Sequence, residues 1–492
     1  MSKYFRSFLL IFAAVGQILQ FFTNAPAQDI ESTITVDPDM ASVRVEGQIL
    51  REVDLSIFYN FDFLLEYGDI RGLGERFSVA GLSDSNGKPL AFKKISPGVF
   101  NAERYPWKWI YTIDLTPLKN PAAMAHVSFI NGKRGILMAD DLLPADRGLA
   151  ATLKIGVPPG WNTYSTEPET AAGDFYIANK EKAVFYVGQD WRTKDLELNG
   201  TSFKLAFNGN WLFSDNETGT LVSEVFENYV KTFGSSPNKR YQIGLVKFPS
   251  GTSAGAWEGD TRGSTITIAS SDMPFKSQAI QRLHEQLRHE IFHLWIPNGV
   301  NLSGNYDWFY EGFALYQSLK LGVAVNRIRF DDFLDTLSRA YDIDRLQSQK
   351  ISLIEASKKR WLGANTQIYA RGMLVAFLCD LALLDRSKGK RSVDDLLRDL
   401  YEKHRLSGVR EDGNAAVLAL LSSHGELMPI IDHNIAGSEN IDWSVLLSAA
   451  GLEARNRDQL TELRVVPKPS SRQKDLLDKL GYNSWRKLSI GH

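Results

Sequence analysis

His289-Glu290-Ile291-Phe292-His293 is the stretch on which the reading of this chain turns. It lies in a segment, Lys276 to Trp295, that contains no Gly or Pro and is free to be helical; Pro297 and Gly299 then stop it. Two histidines four positions apart on a helix differ by about 40° around the axis, so both rings point the same way. Neutral imidazoles at that spacing can bind one Zn²⁺. Glu290 stands beside them, placed to hold the water that shares the open zinc position. The bland alternative is a pair of core or surface histidines that fall at this spacing by chance.

A third protein ligand is needed, on an element that follows shortly. Asp307-Trp308-Phe309-Tyr310-Glu311-Gly312-Phe313-Ala314-Leu315-Tyr316 reads as a helix whose apolar face uses Phe309, Phe313 and Tyr316. Glu311 sits off that line among apolar neighbours. A buried carboxylate costs several kcal/mol unless it is paired or bound to a metal, so Glu311 is the candidate third ligand; the alternative is an exposed helix glutamate. The other histidines offer less. His284 lies about 140° away from His289 around the helix and is expected to be exposed, and His404, His424 and His433 have no ligand spacing to one another.

Working outward, 492 residues exceed one ordinary core and predict two or three domains. With 43% apolar and 23% charged residues, the composition excludes a disordered or fibrous chain. A net charge of −2 without a basic block gives a nucleic-acid partner no support. Cys379 is the only cysteine, so no intramolecular disulfide or cysteine-based metal site can form, and its apolar surroundings place it in a core.

Residues 1–27 read as an export signal: Lys3 and Arg6, an apolar run from Phe8 to Phe22, then a small-x-small site before Gln28. Cleavage removes two basic residues and no acidic one, taking the net charge from −2 to −4. The expected location is periplasmic or secreted, with a signal-anchored form as the alternative. No later segment reads as apolar enough to span a membrane. Residues 28–215 are read as an N-terminal β domain. Ala41 to Leu50, Ser128 to Ile130, Thr152 to Val157 and Ser202 to Phe207 alternate as strands, and Asn86-Gly87-Lys88-Pro89, Pro158-Pro159-Gly160 and Asn208-Gly209-Asn210 separate them. A β-sandwich fits this spacing. From residue 216 the pattern becomes helical around one good strand, Tyr241 to Phe248, giving a second domain over 216–450 and an extension over 451–492. The fold class is multidomain α+β.

HEIFHLW followed by WFYEGFALY resembles the gluzincin metallopeptidases, the glycyl aminopeptidase family first and the aminopeptidase N family more distantly. The resemblance implies a thermolysin-like peptidase domain with a mostly helical C-terminal part. It implies that His289, His293 and Glu311 bind one zinc per chain, with Glu290 as general base. Gly255-Ala256-Trp257-Glu258 resembles the cleft-lining segment of aminopeptidases, whose glutamate binds the substrate α-amine; Trp257 replaces Met, and Gly259 replaces Asn. Tyr369-Ala370-Arg371-Gly372 resembles the Tyr-x-Lys-Gly of both families, whose tyrosine stabilises the oxyanion. Its glycine is expected to allow close helix packing. Arg262, Arg371 and Asp260 are further candidates for the cleft. The activity implied is an exported aminopeptidase hydrolysing peptides with zinc-activated water. Two alternatives stay open: a non-catalytic binding protein that keeps the fold, and an endopeptidase acting on modified or internal sites.

Overall fold

The strand Ile30–Asp37 buries every second side chain, and this two-residue period recurs through the N-terminal domain. In the computed structural model, which describes residues 29–51, 60–145, 150–405, 408–458 and 460–482, these strands form two larger sheets and a small three-stranded one, Phe61–Asp62, Val99–Ala102 and Phe92–Ser96. The expected signal segment lies outside the described residues. The six-stranded sheet has Ile30–Asp37 and Ser42–Ile49 at its centre. The four-stranded sheet is built around Arg134–Met138 and Val184–Gly188. Val43, Val45, Tyr111 and Ile113 of the first pack against Leu137, Phe185 and Val187 of the second in one buried cluster, which is the expected β-sandwich.

The other face of the four-stranded sheet carries Ile136, Met138, Val184 and Tyr186, and it packs on the next domain through Ala206, Val246 and Ala269. Tyr186 donates to the carbonyl of Ile266 at 2.9 Å. Its ring fills the space a side chain at Gly244 would need, since a Cβ there would meet it at 2.4 Å. The two domains therefore share an apolar seam and are not beads on a linker.

The second domain starts earlier than its sequence suggests. Ser202 to Phe207 is read from the sequence as a strand of the β domain, whose expected range also takes in the strand Arg192–Leu198. Instead Thr201–Phe207 runs parallel to Arg240–Lys247, which runs parallel to Thr265–Ser270. The five-stranded sheet is completed by Arg192–Leu198 at one edge and Trp257–Arg262 at the other. Alternation identifies strands but not partners, and the partner of Thr201–Phe207 comes only after the helix Asp215–Phe233. That helix is closed at its start by a capping box between Ser214 and Glu217.

The helices Lys276–Phe292, Asp307–Ala324, Phe330–Leu346 and Asn365–Ser387 form the mostly helical part. Asn365–Ser387 is long and apolar enough to cross a membrane by composition, contrary to the expectation for the later segments. In the fold, 94% of its apolar window is buried, and it is the central core helix. The stretch expected as an extension also joins this core. Leu452, Leu463, Leu476 and Leu477 are buried in it, and Thr461 bonds both carboxylate oxygens of Asp342.

Asp307–Ala324 and Asn365–Ser387 touch at two glycines. A Cβ on Gly312 would stand 2.5 Å from Cα of Gly372, and one on Gly372 would stand 2.6 Å from the carbonyl oxygen of Trp308. The glycine after Glu311 and the glycine three after Tyr369 are thus one contact, which bears out the packing expected of Gly372. Overpacking against backbone cannot be relieved by a rotamer change. Gly372→Ala is expected to destabilise the helical part by about 2–3 kcal/mol; an unshifted urea-unfolding midpoint would contradict the role given to this crossing.

Candidate metal centre and cleft

The helix Lys276–Phe292 delivers His289 and His293 to one side, His293 standing at the helix C-cap with φ −66°. Nε2 of His289 and Nε2 of His293 are 3.2 Å apart. Oε2 of Glu311 is 3.3 Å from the first and 3.5 Å from the second. A tetrahedral ion with bonds of about 2.05 Å sets its ligand atoms about 3.3 Å apart, so this triangle has the edge length zinc requires. All three residues are buried. Nδ1 of His293 donates to the carbonyl of Ile296 at 3.0 Å, which leaves the Nε2 lone pair free for a metal. Oε2 of Glu311 has no hydrogen-bond partner. Three converging acceptor atoms in a buried site need a cation, and these residues can hold one.

Glu290 turns the other way, onto the edge strand Trp257–Arg262. Its Oε2 accepts a hydrogen bond from Oγ1 of Thr261 at 2.7 Å. Burial raises its pKa, and the two histidines and this hydrogen bond partly oppose that. Gly259 explains its own presence: a Cβ there would lie 2.2 Å from Oε1 of Glu290. The absence of a side chain at Gly259 is what lets the carboxylate lie against the strand.

Tyr369 reaches the same cavity from Asn365–Ser387, with its ring 6.5 Å from that of His289. Burial first, and Glu311 second, hold its pKa well above the ordinary range, with Arg360 opposing, so the phenol keeps its proton as a donor. Arg360 is the residue that sequence reasoning missed here. One of its nitrogens, Nη2, lies 3.0 Å from Oε1 of Glu311 and donates to the Tyr369 oxygen at 2.9 Å. The other, Nη1, pairs with Asp307 at 2.8 Å. Despite burial, Arg360 and His293 hold the Glu311 carboxyl well below its usual range. Nothing in Lys358-Lys359-Arg360-Trp361 distinguishes this arginine from its exposed neighbours.

The cavity has a volume of about 600 Å³ and is lined by both domains. Trp257 and Glu258 line it, as the sequence suggests. Gly255 and Ala256 do not: Gly255 forms a turn at φ +76°, and Ala256 packs into the seam between the domains. Asp260 lines the cavity, and Arg262 is buried beside it, paired at 2.9 Å. Arg371 is remote from it, buried against Asp344 and the carbonyls of Asn434 and Glu439. His284, expected to be exposed, is fully buried, with Nε2 3.2 Å from Glu224 and Nδ1 2.5 Å from Arg288. Burial and Arg288 lower its pKa to about 3, so it is neutral. Glu224 of the helix Asp215–Phe233, itself paired with Arg327, meets a helix face that its own sequence would leave to solvent. The N-terminal domain adds Tyr67 and His126 to the cleft, neither of which carries a local motif.

No family model matches the chain, and no curated protein does. Solved structures do match. An aminopeptidase N family protein from Idiomarina loihiensis is 18% identical; the match covers 90% of this chain and 82% of that one, with a TM-score of 0.72. An M1 zinc metallopeptidase mutant from Deinococcus radiodurans, bound to a Tyr-Ser-Ala substrate, is 16% identical over 84% of this chain and 96% of that one, at 0.54. A two-domain M1 zinc metallopeptidase mutant bound to L-arginine is 16% identical, covering 84% and 95%, at 0.53. At these identities the likeness defines the fold. The chain has a gluzincin aminopeptidase-like fold, with an N-terminal β-sheet domain and a helical C-terminal part.

Gly259→Ala is expected to push Glu290 off the strand while leaving the three ligand atoms in place. Zinc content should stay at the parent level while turnover of a peptide substrate falls by about tenfold or more. Loss of zinc in parallel with activity would show that Gly259 serves the fold and not the Glu290 carboxylate.

Proposed function

We propose that this chain is a zinc metallopeptidase acting as an aminopeptidase on peptides, with one zinc per chain. The observation that carries the reading is the triangle of His289, His293 and Glu311 at zinc-ligand spacing, beside Glu290 and open to a cleft that can hold a peptide end. Substrate-bound metallopeptidases among the structures of similar fold support it. Export by residues 1–27 belongs to the same proposal, and it rests on the sequence pattern.

Zinc bound there would supply Lewis acidity, polarising the scissile carbonyl and lowering the pKa of water to roughly 7. Glu290 is placed to take the proton from the attacking water and pass it to the leaving amine. Thr261 fixes the carboxylate by one oxygen and leaves the other free for that exchange. Tyr369 accepts from Arg360 and so keeps its own proton to donate toward the oxyanion that develops on the substrate. Glu258, half exposed at the cleft wall, supplies the negative charge for a substrate ammonium. The complete set of ligands and base argues against a non-catalytic scaffold.

Two outcomes are expected. Glu290→Gln should keep about one zinc per chain by metal analysis and lose turnover by about 10³-fold or more; peptide hydrolysis at the parent rate would refute the mechanism. Glu258→Ala should abolish the preference for free over N-acetylated peptides, read as a ratio of kcat/KM values. An unchanged ratio would remove Glu258 from amine recognition.

A further inference from the structure

The carboxylate that would hold a substrate ammonium already faces a side chain from the other domain. His126 ends the short helix Ala123–His126, and its carbonyl accepts from Nη2 of Arg262 at 2.7 Å, which ties that helix to the edge strand. Its ring lies between two acids. Nε2 is 3.5 Å from Oε2 of Glu258, and Nδ1 is 3.5 Å from Oδ2 of Asp260. Carboxylates only accept, so an imidazole that serves one on each side must carry both protons and a positive charge. Burial alone would lower the pKa of His126, but Asp260 and Glu258 outweigh it and push it up to about 9.

The charges facing His126 sort into two pairs. Asp260 is already matched: Arg262 binds it at 2.9 Å, and the Tyr67 hydroxyl donates to it at 3.1 Å. The Arg262 guanidinium also stands 4.1 Å over the Tyr67 ring, and Asp140 adds a more distant negative charge to this group. Glu258 has no such second partner. Among the described residues, His126 is the one cation at ion-pair distance from it. Its side chain is 20% exposed and lines the cavity, so the pair is open to a ligand.

We propose that His126 is a specificity-determining residue: its cation shares Glu258 with the substrate ammonium, weakens the selection of free N-termini, and admits peptides whose N-terminus is acylated or internal. The inference rests on the proposed role of Glu258. A substrate ammonium must displace the imidazolium or sit beside it, and repulsion between like charges at close range in a partly buried cleft offsets much of what Glu258 contributes. An acylated or internal amide does not meet that repulsion.

The test measures binding, so that it does not depend on turnover. Alanyl-alanine amide and its N-acetyl derivative are titrated calorimetrically into the full chain carrying Glu290→Gln, loaded with zinc, at pH 7. The same titrations are repeated with His126→Gln or His126→Lys added. With His126→Gln, the free-amine peptide should bind about tenfold tighter and the acetylated peptide as before. With His126→Lys, the parent ratio should return, which a purely structural role for the residue would not produce. A free-amine preference that is the same with His, Gln and Lys at position 126 overturns the proposal and leaves the role of Glu258 standing. Equal binding of the two peptides to the His126→Gln protein overturns both.

Discussion

Where Gly312 meets Gly372 the backbones of two helices come so close that neither can carry a single side-chain carbon. The site depends on that contact. Glu311 precedes one glycine and Tyr369 lies three positions before the other, so bringing the backbones together sets the carboxylate and the phenol at fixed depth beside the histidine helix. Packed helix axes lie about 8–10 Å apart, depending on the side chains at the contact. A side chain at either glycine would force these two helices apart and move Tyr369 away from Glu311 and the Arg360 they share.

Closeness brings an electrostatic problem, and Arg360 answers it. Glu311, Asp307 and the Tyr369 oxygen gather around one guanidinium, whose planar fork serves all three from two of its nitrogens. Glu311 is therefore held from behind by a charge and offers one bare oxygen toward the histidines. Its geometry is fixed by the protein and does not wait for the metal. The same nitrogen donates to Tyr369, so one side chain positions both the Glu311 carboxylate and the phenol oxygen.

The parts of this site legible in the sequence are those fixed by one helix. His289 and His293 share a face by helical period alone, and Glu290 follows from its place between them. Glu311 was readable as a carboxylate misplaced on an apolar helix. What escaped needs a second element to exist. Arg360 has no periodic signature, and His126 enters from another domain. His284 seemed exposed because its own helix does not reveal what packs on it. Gly259 looked like a departure from a family pattern until the carboxylate lying 2.2 Å from its missing Cβ was in view. The boundary set near 216 failed for a related reason. Ser202 to Phe207 alternates like the strands before it, and only the parallel pairing of Thr201–Phe207 with Arg240–Lys247 assigns the hairpin 192–207 to the second sheet.

The edge strand Trp257–Arg262 presents two different sets of side chains to the cavity and its surroundings. Side chains alternate across a strand. Trp257 lies by the His289 ring, Gly259 makes room for Glu290, and Thr261 bonds it, so one face meets the HExxH helix. Glu258, Asp260 and Arg262 form the other face and meet Tyr67 and His126 of the N-terminal domain. Hydrogen bonds and ion pairs from this second face run to Tyr67 and His126, and the Glu290 carboxylate accepts from Thr261 on the first. The β domain is thus a wall of the cavity as well as a support, and the apolar seam around Tyr186 joins that wall to the sheet of which the edge strand is part. A two-residue period in six residues is enough to bring one strand against Glu290 on one side and the β domain on the other.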